Sequence, residues 1–224
     1  MRLHVANPNG TAAMTGIIAG AARAAAGPGV EIVATTAQGA PASIEGPLDG
    51  ARAVPFLLDG IAATPAEAHV IACFDDTGLE AARCLTRAPV VGIGEAACLV
   101  ASQLAARFVV VTSAPISVPV IEGNLRRTGL DARCAGVRAA GVAVLDIAAH
   151  EGDEADPVAD AVRRAARDVP DAALVLGCAG MAGLADRLGR DLGRPVIDGV
   201  AAGVVLAQGL ARLGHRNVAP EGPC

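Results

Sequence analysis

Two cysteines stand at matching places along the chain and could act as acid/base groups. Cys73 ends the apolar run of "VIACFDDTGLEAA", and Cys178 ends the apolar run of "LVLGCAGMAGLAD". Small residues that open a helical stretch follow each of them. We expect a helix N-terminus beside each thiol to lower the pKa of that thiol, because the helix dipole and free N–H groups stabilise a thiolate. Two thiols on opposite sides of one ligand could invert a carbon centre, since one removes a proton and the other returns one.

The two cysteines belong to an internal repeat. Arg2 and Cys73 are separated by as many residues as Arg107 and Cys178, and each arginine opens a similar run, "RLHVANPN" or "RFVVVTSA". A helical stretch and then a proline-led strand follow each cysteine, with "APVVGIGEAA" in the first half and "RPVIDGVAAG" in the second. This similarity between the halves predicts two similar lobes.

Short apolar runs alternate with Ala- and Leu-rich helical stretches, which is typical of a parallel α/β sheet. The predicted strands are Leu3–Ala6, Glu31–Ala34, His69–Ala72, Val90–Gly92, Phe108–Val111, Asp131–Val137, Ala173–Leu176 and Val196–Ile197. The predicted helices are Thr11–Ala26, Leu48–Ala62, Leu79–Leu85, Glu95–Ala105, Val120–Thr128, Pro157–Arg167, Gly180–Leu192 and Ala201–Leu213.

We therefore predict an α/β fold of two similar lobes, each a parallel sheet flanked by helices. A pseudo-two-fold axis would relate the lobes, with the active site in the cleft between them. Residues 1–98 and 199–224 would form the first lobe and residues 99–198 the second, with the last helix crossing back. Ligands of open parallel sheets bind beyond the carboxyl ends of the strands, where both cysteines are expected.

The composition favours a globular protein and argues against several classes of partner. Apolar residues make up 53% of the chain and the net charge is −5. The chain has no Lys/Arg-rich run and only three aromatic residues, all Phe, so we expect no nucleic-acid partner. No apolar stretch reaches the roughly 18 residues of a membrane span, and we expect no membrane partner. No signal peptide is visible, which predicts a cytoplasmic location and reduced thiols.

Motifs for metals and nucleotide cofactors are incomplete. No C-x-x-C pair occurs and the four histidines are scattered, so we predict no metal site. The stretch "HEGDEAD" favours a solvated loop and a helix start near Asp156. The stretch "GIGEAA" matches a dinucleotide fingerprint, but the next strand ends in "VTS" without the required acid. We predict no cofactor and expect Gly92 and Gly94 to permit close packing of strand and helix.

Structural roles compete with chemical ones for several residues. Asp75 and Asp76 could be acid/base groups, but helix N-terminal caps commonly use Asp, and a carboxylate there would raise the pKa of Cys73. His4 is expected in the core, and His69 has no recognisable partner in the sequence. Free cysteines are often small buried hydrophobes, and three others fit that interpretation. They are Cys84, Cys98 and Cys134, while Cys224 is terminal.

Six stretches in the order "ANPNGT", "SIEG", "CFDDTGL", "PVVGIGEAA", "VVTSAPISVP" and "LGCAGM" span Ala6 to Met181. This series resembles the hydantoin racemases, including the allantoin racemases, within the aspartate/glutamate racemase superfamily. The resemblance implies a cofactor-independent racemase with Cys73 and Cys178 as catalytic acid and base, and it implies a two-lobed fold and a homo-oligomer. This chain has Thr77 at a position where the family motif usually has proline. It has Ser113 at a position where the family motif usually has a second threonine. The substrate-binding residues expected from these stretches are Asn9, Phe74, Thr112, Ser113, Ala179 and Gly180.

The residues after Cys178 favour a neutral ring as the small-molecule substrate. Ala179, Gly180 and Met181 carry no charge and no hydroxyl, which leaves backbone N–H groups as the polar features. Those groups suit the carbonyls of a cyclic imide or ureide, whereas amino-acid racemases of the superfamily tend to carry Thr and His here. We predict racemisation at C5 of a 5-monosubstituted hydantoin or of allantoin. The adjacent carbonyl acidifies C5–H, and N–H donors can stabilise the enolate.

Other functions stay open at this point. Amino-acid racemisation, maleate isomerisation and arylmalonate decarboxylation occur in the same superfamily. The decarboxylases use a single cysteine at the second position, so Cys73 argues against them. A non-catalytic binder built on the same two lobes would need no pair of thiols and would normally carry a signal peptide.

Overall fold

The computed structural model describes residues 1–149 and 156–218. The strands are β1 (Arg2–Asn7), β2 (Glu31–Thr36), β3 (Ala68–Ile71), β4 (Val90–Gly92), β5 (Phe108–Thr112), β6 (Cys134–Ala139), β7 (Ala173–Gly177) and β8 (Val196–Asp198). The α-helices are α1 (Ala12–Ala25), α2 (Pro47–Ala63), α3 (Leu79–Leu85), α4 (Ile93–Leu104), α5 (Val118–Thr128), α6 (Val144–Ala149), α7 (Pro157–Ala165), α8 (Ala185–Leu192) and α9 (Gly199–Arg212).

The strands form two four-stranded sheets with equivalent orders, β2-β1-β3-β4 and β6-β5-β7-β8. Neighbouring strands are parallel throughout both sheets. The strands that precede the two cysteines, β3 and β7, hold the same place in the two sheets. The prediction of an α/β fold with two similar lobes is therefore confirmed.

The inner strands are buried on both faces by flanking helices. Every residue of β5 and β7 is buried, and β1 is buried from its second residue onward. Strands covered on both faces read as continuous apolar runs instead of alternating patterns, which is why these segments were recognisable in the sequence. Within the described ranges, no helix is long and apolar enough to cross a membrane.

The last helix, α9, crosses from the second sheet to the first and packs on α1, α4 and β3. The approach is close because Gly203 has no side chain: a Cβ there would lie 3.1 Å from side-chain carbons of Ile93 and Val70. A single apolar core runs from Leu3 of β1 to Phe108 of β5 and includes much of α9. This core thus spans both lobes, and each lobe has a further apolar cluster of its own.

Two local predictions are wrong, and one short helix was missed. Asp131–Arg133 form a 3₁₀ turn before β6, because Gly129 ends α5 in the left-handed conformation and the chain must then turn toward the sheet. Ala179–Leu184 form a 3₁₀ segment, in which two glycines weaken the preference for an α-helix. The helix α6 was not predicted, since six residues are too few for a clear helical periodicity.

Candidate active site

Cys73 and Cys178 line one cavity at the carboxyl ends of β3 and β7. The cavity has a volume of about 30 Å³, which is roughly the space of one water molecule. Gly180 is not among the lining residues, but its N–H donates to the Cys178 sulfur. The other expected substrate-binding residues all line the cavity: Asn9, Phe74, Thr112, Ser113 and Ala179.

The Cys73 sulfur is enclosed by protein although part of the residue is accessible from the cavity. Burial raises its pKa well above the usual range, and the Asp75 carboxylate raises it further. The Thr77 hydroxyl donates to the sulfur at 3.4 Å, and the Asp75 N–H also donates to it, which partly offsets the increase. The expected lowering of the pKa by a helix dipole is wrong here, since α3 begins only at Leu79 and burial dominates.

Cys178 precedes the 3₁₀ segment Ala179–Leu184 and is likewise enclosed. Burial raises the pKa of its thiol to about 11, while the Gly180 N–H acts in the opposite direction. The negative charges of Asp75 and Glu45 raise the pKa further. The predicted lowering is therefore wrong for this cysteine too, because desolvation of the thiolate outweighs one N–H donor.

The surroundings of the two sulfurs are equivalent in part. In each lobe, the backbone N–H two residues after the cysteine donates to the sulfur, from Asp75 or from Gly180. The side chains of the two lobes differ. Asp75 places a carboxylate two positions after Cys73, whereas the residue two positions after Cys178 is Gly180, which has no side chain. The Thr77 hydroxyl contacts Cys73, whereas the equivalent residue in the second lobe is alanine. The first lobe thus supplies the charged side of the cavity.

Asp76 caps α4, which lies eighteen positions further along the chain. Its carboxylate accepts hydrogen bonds from the N–H groups of Gly94 at 2.9 Å and Glu95 at 2.8 Å. Burial raises its pKa to about 7, although these two donors act in the opposite direction. A Cβ on Gly94 would lie 2.3 Å from the Phe74 carbonyl oxygen. The glycines of "GIGEAA" therefore let the loop after Cys73 lie against the start of α4, and the capping interpretation of Asp76 holds, though for α4.

Asp75 does not cap a helix, so that interpretation is wrong for it. Its side chain lines the cavity, and the Ser117 hydroxyl donates to its Oδ2 at 3.4 Å. The Asn124 amide of α5 donates to its backbone carbonyl at 2.8 Å. Burial raises the pKa of Asp75 to about 6, with the Ser117 contact opposing the increase. Sequence reasoning missed Ser117 and Asn124, because their contacts to position 75 depend on how the lobes meet.

Asn9 is held by a network at the end of β1. Its Oδ1 accepts from the Asn7 side chain at 2.9 Å and from the Thr11 N–H at 3.0 Å. Within the described ranges, its amide nitrogen has no acceptor. In the second lobe, the Thr112 hydroxyl donates to the Gly177 carbonyl at 3.1 Å and ties β5 to β7. Asn9 can therefore offer an N–H donor to a bound carbonyl.

Segments from both lobes cover the cavity. Ile44 of the first lobe and Val144 of the second are buried and line it. The Val144 N–H donates to the Glu45 carboxylate at 3.1 Å, which connects the two segments directly. A ligand that separates these two segments would break this hydrogen bond.

His4, His69 and the three other described cysteines lie apart from this cavity. His4 is in the core as expected, with its Nδ1 3.0 Å from the Nδ1 of His69 and its Nε2 2.7 Å from the Thr35 hydroxyl. Cys98 is buried and Cys134 partly buried, but Cys84 is exposed, so the buried interpretation of Cys84 is wrong. Cys224 lies outside the described residues.

The "HEGDEAD" stretch is described only at its last residue. Asp156 accepts from the N–H groups of Val158 and Ala159 and caps α7, as its predicted place at a helix start requires. Positions 150–155 lie outside the described residues. Elsewhere in the described part of the chain, no group of three or more His, Cys, Asp or Glu side chains could hold a metal ion.

A two-lobed α/β fold with two thiols lining one cavity defines a candidate acid/base enzyme. The model of the Asp/Glu/Hydantoin racemase family matches residues 3–207. The chain is 40% identical over 218 residues to the hydantoin racemase of Rhizobium meliloti, with 96% of this chain and 90% of that protein covered. It is 41% identical over 220 residues to the hydantoin racemase of Pseudomonas sp. (strain NS671), with 97% and 88% covered.

Solved structures agree with this relationship. The allantoin racemase from Klebsiella pneumoniae superposes with a TM-score of 0.93 at 39% identity, covering 100% of this chain and 95% of that one. Arylmalonate decarboxylase, at 20% identity and a TM-score of 0.63, shares the fold. The chain belongs to the Asp/Glu/Hydantoin racemase family. It is therefore an isomerase of the racemase class.

Proposed function

We propose that the chain racemises C5 of 5-monosubstituted hydantoins or of allantoin, without a cofactor, through Cys73 and Cys178. The observation that carries this proposal is that both thiols line one cavity, at the ends of equivalent strands. The relatives named hydantoin racemase and the structural neighbours named allantoin racemase support the same substrate class.

The proposed reaction moves one proton across the ring plane. The thiolate of one cysteine removes the C5 proton, and the C5–H electron pair becomes an enolate on the adjacent carbonyl. The thiol of the other cysteine then donates its proton to the opposite face of C5 and becomes the thiolate. Asn9 and Ser113 line the cavity, and we assign the Asn9 amide N–H and the Ser113 hydroxyl as donors to the enolate oxygen.

The raised pKa values of the two thiols determine how the reaction rate depends on pH. The Cys178 thiol has a pKa of about 11 and Cys73 is raised as well, so thiolate is scarce near pH 7. Each cysteine can act as the acid when protonated and as the base when ionised, and racemisation in both directions requires both roles. We expect kcat/KM to increase with pH through the alkaline range as the thiolate fraction increases.

Substrate entry requires a change in the cavity cover. A volume of about 30 Å³ does not hold a five-membered ring with a substituent. We propose that the segments around Ile44 and Val144 separate to admit the ring and close again to exclude water. The Glu45–Val144 hydrogen bond would break and re-form in each cycle.

The direct test uses enantiopure 5-alkylhydantoins and (S)-allantoin without any added cofactor and with a chelator present. We expect the optical rotation to fall to zero while the substrate concentration, measured by chromatography, stays constant. The Cys178→Ser variant serves as the control for uncatalysed racemisation. Unchanged rotation with both substrate classes would refute the proposal.

Assembly and location are part of the proposal. We infer a homo-oligomer in the cytoplasm from the family resemblance and the sequence. An exposed groove of about 790 Å³, away from the cysteines, supports the oligomer because small apolar residues of α1 and α9 line it. Gly16 and Gly20 lie on the α1 side, and the 60% exposed Val205 lies on α9. Light scattering that gives the monomer mass would contradict this inference.

A further inference from the structure

Asp75 is the one charged side chain among the described residues that line the cavity of the two cysteines. Its Oδ2 accepts a long hydrogen bond of 3.4 Å from Ser117. Within the described ranges, its Oδ1 has no hydrogen-bond donor. Asp75 is partly buried, and a carboxylate with an unused oxygen facing apolar and neutral groups is an acceptor that a bound ligand can satisfy.

The position of this carboxylate is fixed from both lobes. The Asp75 N–H donates to the Cys73 sulfur, so the residue is tied to the thiol of its own lobe. The Asn124 side chain donates to the Asp75 carbonyl at 2.8 Å from the other lobe. A ligand that places its reacting carbon beside Cys73 therefore meets the Asp75 carboxylate at a set place.

The electrostatics of the cavity favour N–H donors over carboxylates. Among the described lining residues there is no lysine or arginine. Asp75 and the nearby Glu45 both place negative charge close to the Cys178 thiol. A ring N–H gains a charge-assisted hydrogen bond here, whereas a ligand carboxylate finds like charge and no cation.

We propose that Asp75 determines substrate class by accepting a hydrogen bond from a ring N–H of a neutral cyclic ureide or imide and by repelling ligands that carry a carboxylate. This inference rests on the proposed function, because it assigns the groups of the ring that the two-thiol site recognises. The equivalent position of the second lobe is Gly180, so only one side of the ring meets a carboxylate. With its pKa at about 6, Asp75 is ionised at the alkaline pH where thiolate forms.

The test measures kcat/KM for a 5-alkylhydantoin and for its N1-methyl and N3-methyl derivatives. In the wild type, methylation at one of the two nitrogens is expected to lower kcat/KM by roughly 10- to 100-fold, the effect of losing a hydrogen bond to a charged group. In Asp75→Asn, whose amide oxygen can accept only a neutral hydrogen bond, the cost of the same methylation should be at least roughly threefold smaller than in the wild type. The Glu122→Gln variant, which changes an exposed carboxylate to an amide on α5, should discriminate like the wild type.

A second measurement separates this role from general damage to the site. An N-carbamoyl amino acid, which is the ring-opened form with a carboxylate, is tested as a competitive inhibitor. Removing the negative charge in Asp75→Asn should lower its inhibition constant by roughly tenfold or more, while a merely structural defect would weaken every ligand. Asp75→Ser is expected to show the same smaller effect of methylation and the same lower inhibition constant. It replaces Asp75→Asn if Asp75→Asn does not fold.

The outcomes distinguish the two proposals. A wild type that racemises no hydantoin and no allantoin refutes the proposed function, whatever the variants do. A wild type that racemises hydantoins but tolerates methylation at both nitrogens overturns the role of Asp75 alone. Retained discrimination in the folded Asp75 variants, or an unchanged inhibition constant for the carboxylate, overturns it as well.

Discussion

Replacing Asp76 by alanine tests how the loop after Cys73 is held. The carboxylate is the acceptor for two N–H groups at the start of α4, at 2.9 and 2.8 Å. Each buried N–H left without an acceptor costs about 1–3 kcal/mol. Asp76 also has φ of 49°, a left-handed conformation that costs alanine roughly 1 kcal/mol. Because the Glu95 N–H lies near the surface, water can replace the carboxylate there. We expect Asp76→Ala to reduce the free energy of unfolding by about 2–4 kcal/mol.

Thermal unfolding followed by circular dichroism measures this loss. For a chain of this size, the expected fall in Tm is roughly 4–16 °C. Asp76→Asn keeps one acceptor and tolerates the left-handed conformation, so it should lose less than half as much. The matched control is Asp59→Ala, an exposed aspartate of α2 with no hydrogen bond in the described ranges, which should stay within about 0.5 kcal/mol of the wild type. The reasoning is wrong if Asp76→Ala melts at the same temperature as this control.

Three further predictions follow from the contacts around the buried polar groups. Thr77→Val removes the donor to Cys73 and should lower kcat/KM roughly 5- to 10-fold, with recovery in Thr77→Ser; wild-type kinetics for the valine variant would contradict this. Burial lowers the pKa of His4 to about 4. As the pH falls, His4 is therefore protonated in the unfolded chain before it is protonated in the folded chain. Stability measured by guanidinium unfolding should therefore fall by roughly 1–2 kcal/mol between pH 6.5 and 5 relative to His4→Gln, and equal pH profiles would contradict it. In a Cys84→Ser background, the rate of Cys178 alkylation by iodoacetamide should increase about tenfold per pH unit up to pH 10, and a plateau near pH 8 would refute the raised pKa.

The strands could be predicted from the sequence because the apolar pattern that identifies each strand lies within that strand. Strands β5 and β7 are continuous apolar runs, as burial on both faces requires. The repeat that relates Cys73 to Cys178 then gave both sheets and their common topology. Helix α6 was missed because a six-residue helix with two buried positions carries too little periodic signal.

Most of the residues proposed for the site line one cavity, but the electrostatics of that cavity were not predicted. The pKa of a thiol depends on burial, and burial of Cys73 and Cys178 depends on how the two lobes close over them. Asp76 caps a helix eighteen positions away, and His4 pairs with His69 on a neighbouring strand. Such contacts between distant segments leave no spacing pattern in a single sequence.

Proton exchange in deuterium oxide by single cysteine variants tests the two-thiol mechanism most directly. Cys73→Ser and Cys178→Ser should each stop racemisation, because a serine hydroxyl is a far weaker base than a thiolate. The remaining cysteine still removes the C5 proton of the enantiomer that points toward it, and solvent deuterium returns to the same face. Each variant should therefore exchange one enantiomer with retention, the two variants should choose opposite enantiomers, and the double variant should exchange neither. Exchange of the same enantiomer by both variants, or racemisation at the wild-type rate by either, would contradict the mechanism.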